Sequence, residues 1–378
     1  MPIQTELSLQ QFLATATTPC VSLYLPIEAN QLEKNRLTLR HLINHAKDVM
    51  ATTWPDAAWT AFDAQLDPWL SDPKRLADVA SPGLGLLSDG QQVYARALEY
   101  PVSEVAMVTE MPQVLPMLLD MQRHFEFDLL ALQRDSIALY HNMGDVLTAT
   151  ELAADAPLTL KGTLGTELRG GETNAQTIGP GHVSYHGHNE KSAEEEIDQR
   201  RYYQAVDTYI ADHFSKPNQR RLILFGLPQN LAVFREVSRN SYLSGSMQVE
   251  LNPGGLTLAD LDAALNVLRL DNGIRRHQKT LATLDKARGS GLFREDLGSV
   301  ISALNQHAVA MLVIRQGARI NARLDNGGLE FKSERAKHNN LLNDLADAVL
   351  AQGGEVRVLP ENMQDQPVVA VLRYVPAP

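Results

Sequence analysis

Three imidazoles and a carboxylate, His182, His186, His188 and Glu190, fall within nine residues, and these ligand types suit zinc or another first-row ion. A helix would put His182 and His186 on one face, but Gly181 and Gly187 predict a loop. The spacing then matches no standard metal site, and no cofactor is expected. Small residues recur in the same stretch, in Arg169-Gly170-Gly171-Glu172 and in His186-Gly187-His188-Asn189. From 153 to 191 there is no period of 2 or 3.6, and a loop this long within a compact domain is usually functional or unstructured. The functional loop read from sequence is therefore Gly170, Gly171, Glu172, His182, His186, Gly187, His188 and Asn189. A metal-dependent hydrolase or RNA-processing enzyme built on His182, His186, His188 and Glu190 stands as the weaker alternative.

A second set of residues suits phosphate. Arg200, Arg201, Arg220, Arg221, Arg235 and Arg239 are grouped just after that loop, where guanidinium groups would contact RNA. Against them stand Glu194, Glu195, Glu196 and Asp198, which would make the same segment a solvated, charge-balanced helix face. The chain carries a formal net charge of −11, which excludes a wholly basic surface and confines RNA contact to local patches that weaken with salt. Other nucleotide chemistry lacks its motif. No Gly-rich loop ends in Lys-Ser or Lys-Thr, and Gly83-Leu84-Gly85 lacks the third glycine and the helix of a dinucleotide site.

These residues need a scaffold, and 378 residues with 44% hydrophobic and 21% charged side chains predict a folded α/β protein of several modules. Val21–Leu25 reads as a strand, and the apolar positions of 37–50 as a helix laid on it. Residues 83–95 read as a hairpin about Asp89-Gly90, and Trp54, Trp59 and Trp69 as core. A meander follows over 127–150. Regular structure resumes after the loop at Ser192-Ala193-Glu194-Glu195, a capping-box pattern. Leu222–Gly226 is apolar throughout, as a central parallel strand covered on both faces is, and Pro228 suits the first turn of the next helix. The last ninety residues alternate helix and strand, with Gly353-Gly354 closing a helix. The single cysteine, Cys20, lies in an apolar run and predicts a buried small residue in a reducing compartment. No apolar run approaches the roughly 20 residues that span a bilayer, so a cytoplasmic protein without membrane partners is expected.

Three segments, in order and spacing, resemble the bacterial relatives of the archaeal-eukaryotic peptide-chain release factor and Pelota family. They are Leu222–Gly226 continuing to Phe234-Arg235-Glu236-Val237-Ser238-Arg239-Asn240, then Lys286–Gly289 passing into 297–305 and 309–314, then Leu341–Ala346 through Gly353-Gly354 to Val369–Tyr374. The resemblance implies an N-terminal α/β domain (1–122), a ribonuclease H-like middle domain with the long loop (123–288), and a C-terminal α/β sandwich like the kink-turn-binding ribosomal proteins (289–378). It implies binding at or near the ribosomal A site in rescue, termination or hibernation. The partners implied are the ribosome with its RNA or tRNA, and a translational GTPase. The sequence departs from the release factors at their Gly-Gly-Gln motif, since Gly170-Gly171 is followed by Glu172. A carboxylate among phosphates is repelled where a neutral amide is not, so peptidyl-tRNA hydrolysis is not expected and a binding role is. A protein-interaction scaffold is the remaining alternative.

Overall fold

The computed structural model describes residues 8–165 and 188–375, with residues 188–192 described by their backbone alone. The sequence-assigned loop residues Gly170, Gly171, Glu172, His182, His186 and Gly187 lie outside the described residues. The chain divides into two compact units, Met1–His124 with Ile274–Pro378, and Phe125–Gly273. It is a mixed α/β protein with several sheets.

After the short helix α1 (Leu9–Thr15), capped reciprocally by Ser8 and Gln11, comes β1 (Cys20–Pro26). Helix α2 (Leu32–Thr53) follows, then α3 (Trp59–Ser71), α4 (Pro73–Ala77), β2 (Gly83–Ser88), β3 (Val93–Leu98), β4 (Val105–Thr109) and α5 (Leu115–Arg123). The strands pair antiparallel in the order β3-β2-β1-β4. Period-2 alternation sorts β1 between two cores: Val21, Leu23 and Leu25 pack with α2 and α3, while Tyr24 faces the opposite way. Cys20 is fully buried, and burial pushes its thiol far above the usual range, as the sequence predicts of a packing cysteine. Trp54 and Trp69 are buried as well.

The second unit is one five-stranded sheet with helices on both faces. β5 (Phe127–Leu132), β6 (Ile137–Met143) and β7 (Val146–Ala149) form the predicted antiparallel meander. Next come α6 (Leu160–Leu164), α7 (His188–Ile210), which runs into a π-helical stretch over Ala211–Ser215, and α8 (Lys216–Asn218). Then β8 (Arg221–Gly226), α9 (Pro228–Val237) and β9 (Leu243–Val249) form a β-α-β unit, giving the order β7-β6-β5-β8-β9 with β5, β8 and β9 parallel. Leu130, Leu132, Leu222 and Leu224 pack against α7 and α9; Phe127, Leu129, Ile223 and Phe225 pack against the following helix, α10 (Leu258–Gly289). Burial on both faces is why β8 reads as an unbroken apolar run. Two elements differ from the sequence reading, which expects no regular structure over 153–191: α6 lies within that span, and α7 starts before its end. α7 begins at His188, so His188 and Asn189 are helical and Ser192 stands inside the first turns rather than at the cap.

The distal part of α10 contributes Leu281, Leu284 and Ala287 to a core with the last sheet. That sheet comprises β10 (Phe293–Arg294), β11 (Val309–Arg315) after α11 (Leu297–Asn305), β14 (Glu355–Leu359) and β15 (Val368–Leu372), in the order β10-β15-β11-β14. Between β11 and β14 lie the hairpin β12 (Arg323–Asp325) and β13 (Gly328–Glu330), then α12 (Glu334–His338) and α13 (Leu341–Ala351). Gly353 takes φ 70° behind α13, the left-handed conformation in which glycine ends a helix without strain. Leu312 and Ile314 pack with α11 and α13 in the core that also holds Tyr24, Leu87 and Met117, so the first and last sheets share one hydrophobic interior.

Candidate functional site

Open α/β sheets bind ligands beyond the carboxyl ends of their parallel strands. In the second unit those ends are Leu132 of β5 and Gly226 of β8, paired in register. Their approach is close: a Cβ on Gly226 would stand 2.8 Å from the Leu132 carbonyl oxygen. The chain leaves β5 at Gln133-Arg134-Asp135 and β8 at Leu227, and α9 starts at once with Pro228. A crevice of about 460 Å³ opens there, lined by those residues together with Gln199, Gln229, Asn230 and Asn252.

Its polar groups are mostly neutral carboxamides. Gln199 and Asn230 form a floor, 7% and 6% exposed, while Gln133, Gln229 and Asn252 stand at the exposed rim. Gln199 Nε2 donates to Asn230 Oδ1 at 3.1 Å and to the Tyr203 hydroxyl at 3.1 Å, and that hydroxyl donates to the Gln133 carbonyl at 2.8 Å. Burial pushes Tyr203 up to about 12, so it remains a donor at neutral pH. The chain fixes the α7 and α9 side chains against the β5 end. Among the described residues, the side-chain oxygen Oε1 of Gln199 and the side-chain nitrogen Nδ2 of Asn230 take part in no hydrogen bond, leaving one acceptor and one donor on the crevice floor. At the rim, Arg134 is held by Glu195 of α7 at 2.8 Å, and Asn252 Oδ1 accepts from Gly254 N at 3.0 Å.

The sequence-predicted arginines stand elsewhere. Arg200 and Arg201 lie on α7, Arg220 and Arg221 at the amino end of β8, Arg235 in the last turn of α9 and Arg239 just past its end. Arg200 pairs with Glu236 at 2.6 Å and Glu196 at 3.7 Å, and Arg201 with Asp198 at 3.8 Å. Arg220 bridges Glu126 and the buried Asp128 at 2.8 and 2.9 Å, beside His141. Arg235 donates to Gln248 and to the Ser244 carbonyl, holding β9. Arg221 and Arg239 are exposed, and Arg221 lines a shallow crevice of about 520 Å³ with Gln219 and Ser244 at the amino edge of the sheet. Among the described residues no group of three or more His, Cys, Asp and Glu is arranged to hold a metal ion. His182, His186 and the His188 and Glu190 side chains fall outside that description.

The carboxamide crevice was not assigned from sequence, because Gln199 and Asn230 belong to no spacing pattern. The signal that points to it is positional: Leu222–Gly226 reads as a central parallel strand, and the residues just past its end are the ones to inspect.

Comparison with known proteins centres on this unit. Residues 125–269 match the model of bacterial archaeo-eukaryotic release factor family 6. The matched span ends within a few residues of the compact unit Phe125–Gly273, and it contains the Leu222–Gly226 and Phe234–Asn240 segments that resemble the release factors. Solved structures of low identity align over three quarters or more of the chain. An archaeal translation termination factor, aRF1, is 15% identical over 97% of this chain and 96% of its own, with a TM-score of 0.24. Archaeoglobus fulgidus Pelota is 12% identical over 75% of each chain at 0.34. S. cerevisiae Dom34, a translation termination-like factor involved in RNA quality control pathways and interacting with Hbs1, is 11% identical over 78% of this chain and 74% of its own at 0.38. No curated protein matches the sequence. Among the described residues no helix is long and apolar enough to cross a membrane.

Proposed function

We propose that this release factor-like chain is a cytoplasmic translation factor that binds the ribosome at or near the A site and acts in rescue, termination or hibernation. The observation that carries the reading is the family match over residues 125–269, a span that coincides with one compact unit bearing both the polar crevice and the exposed Arg221 and Arg239. In this reading the unit is the ribonuclease H-like middle domain, flanked by an α/β domain over 1–122 and a kink-turn-protein-like sandwich over 289–378. The long segment 153–191, which holds α6 and the start of α7, is the element that reaches RNA. Glu172 replaces the glutamine of Gly-Gly-Gln, so the role is binding rather than peptidyl-tRNA hydrolysis, with a translational GTPase as partner.

Sucrose-gradient sedimentation with ribosomes at two salt concentrations tests it. The protein should travel with ribosomal particles at low salt and be released at high salt, because counterion release makes binding through phosphates weaken as salt rises. Replacing Arg221 and Arg239 by Ala should weaken binding several-fold and flatten the salt dependence by about one unit for each arginine replaced. Protein that remains at the top of the gradient at both salt concentrations overturns the proposal.

A further inference from the structure

We propose that Arg123, Arg276 and Arg357, with His277, form a binding site for one dianionic phosphate group, the charge state of a phosphomonoester or of inorganic phosphate. The site lies wholly in the first unit. It goes beyond the ribosomal reading and stands without it.

The elements α5, α10 and β14 bring these groups together. At the end of α5, Gln122 donates to the Val356 carbonyl and accepts from Val358 N, each at 2.9 Å. It thereby grips β14 on either side of Arg357 and fixes the neighbouring Arg123 there. Side chains alternate along β14: Val356 packs into the core shared with the first sheet, whereas Leu359 packs on the opposite face with Leu281 and Leu284 of α10. Arg357 shares the face of Leu359 and so points toward α10. On that helix His277 stands one turn before Leu281, on the same side, with Arg276 next to it in the chain. Burial and then the charges of Arg123 and Arg357 hold Arg276 below the usual arginine range. Burial, Arg276 and Arg123 lower His277 in the same way, so its imidazole is neutral at neutral pH.

What the cluster lacks is negative charge. The chain carries a net charge of −11, yet among the described residues neither Arg123 nor Arg276 has a carboxylate or a hydrogen-bond acceptor for its guanidinium. Arg357 is paired with Glu355. The carboxylates around Tyr100 are engaged elsewhere, Asp120 with Arg96 at 3.7 Å and Glu99 with His124 at 2.5 Å. A half-buried guanidinium with no counter-ion, facing like charges, costs free energy that an entering anion offsets. Arg123 is also arranged in advance. Its guanidinium lies 3.9 Å from the centre of the Tyr100 ring, and the Tyr100 hydroxyl donates to the Arg123 carbonyl at 3.0 Å, so little freedom is lost on binding.

Charge selects the ligand. With Arg357 balanced by Glu355, the charges of Arg123 and Arg276 remain. One phosphomonoester brings about −1.5 to −2 at neutral pH, with three oxygens for the guanidinium forks to share. A carboxylate or an internal phosphodiester brings a single charge and leaves one arginine as it was, and a metal cation is repelled. Beside Arg357 a crevice of about 350 Å³, walled by Leu118, Met121 and Leu350, has room for the organic part of an ester.

Thermal melts of the full-length protein in sodium phosphate, at neutral pH and with ionic strength held constant by chloride, test the site. Phosphate should raise Tm saturably where chloride does not. Arg276→Gln should weaken phosphate binding by about tenfold or more. Its phosphate-free Tm should equal or exceed that of the wild type, because an unpaired charge has been removed; a merely structural arginine would lower it. Arg123→Gln, at an exposed position, should show the same loss of phosphate binding. Competition by two hexauridylates for labelled phosphate in equilibrium dialysis assigns the source. Displacement by the 5′-phosphorylated RNA but not by its 5′-hydroxyl twin supports the site and places the group on an RNA end; displacement by neither supports it and places the group on a small molecule. Equal displacement by both RNAs, or displacement by hexaglutamate, overturns the assignment. So does a phosphate response that is absent from the wild type or unchanged in both variants.

Discussion

Two residues in the helix α13 carry charge chemistry into the interior of the first unit. Asp344 accepts from Leu324 N at 2.9 Å and Asn339 Nδ2 at 2.7 Å through one oxygen, Oδ2, and burial raises its carboxyl to about 6. Asp347, one turn on, is fully buried and raised well above the ordinary carboxylate range by burial and then by Asp344; only one of its oxygens is bonded, to Asn343 at 2.9 Å. A folded-state value above the unfolded one stabilises the protein below the unfolded value, near 3.8, and that contribution is lost as pH climbs through about 6. For a shift of this size the loss is on the order of 3 kcal/mol. Asp344→Asn keeps an oxygen for both hydrogen bonds and removes the titration. Urea midpoints should therefore fall for the wild type relative to the variant between pH 4 and pH 7, and parallel curves would show that Asp344 does not titrate in this range. At Gly226 the constraint is steric. Ala there should destabilise the protein by about 1–3 kcal/mol, as overpacking does, because its Cβ meets the Leu132 carbonyl at 2.8 Å and Leu231 at 3.1 Å. Thermal melts of Gly226→Ala check this.

At the scale of elements, the edge strand β14 is protected by a side chain. Gln122 at the end of α5 donates to the Val356 carbonyl at 2.9 Å and accepts from Val358 N at 2.9 Å, standing in for a neighbouring strand. Unpaired strand edges invite association between chains. Gln122→Ala should cost about 1–3 kcal/mol and increase concentration-dependent aggregation, measured by light scattering at fixed temperature. The hairpin β12–β13 is fastened by charge: Arg323 pairs with Glu330 at 3.3 Å and with Glu110 beyond β4, and Arg335 of α12 lies 3.5 Å over the Trp54 ring. Short, polar elements of this kind are hard to foresee. β9, Leu243–Val249, alternates Leu243, Met247 and Val249 with Ser244, Ser246 and Gln248, but Gly245 leaves a gap in the apolar face, so the pattern is weak over so short a run and pairing with β8 completes it. The start of α7 is similar: the capping-box pattern at Ser192 has the right local chemistry, yet the helix extends back to His188.

For the whole molecule, the second unit and the N-terminal part of the first should behave differently when expressed as fragments. Residues 125–273 enclose both of their cores, one on each face of the sheet, and expressed alone should unfold cooperatively in urea. Residues 1–124 should not, because Tyr24, Leu87 and Met117 belong to a core completed by Leu312, Leu342 and Leu345, and exposing that face removes its burial free energy. A cooperative urea transition from the isolated 1–124 fragment would refute the shared interior.

Composition and periodicity determined the local elements: the buried β1 and β8, the meander β5–β7, the helices α2 and α13, and the glycine that ends α13. Each depends on side chains a few residues apart, so it is legible in one dimension. Tertiary structure decided the rest. It set Gln199 of α7 beside Asn230 of α9, it consumed Arg200, Arg220 and Arg235 in internal pairs while leaving Arg221 and Arg239 exposed, and it joined the first and last sheets through one core. Those outcomes depend on which distant groups meet, and a hydrogen bond or an ion pair between residues thirty or ninety apart leaves no period in the sequence that makes it.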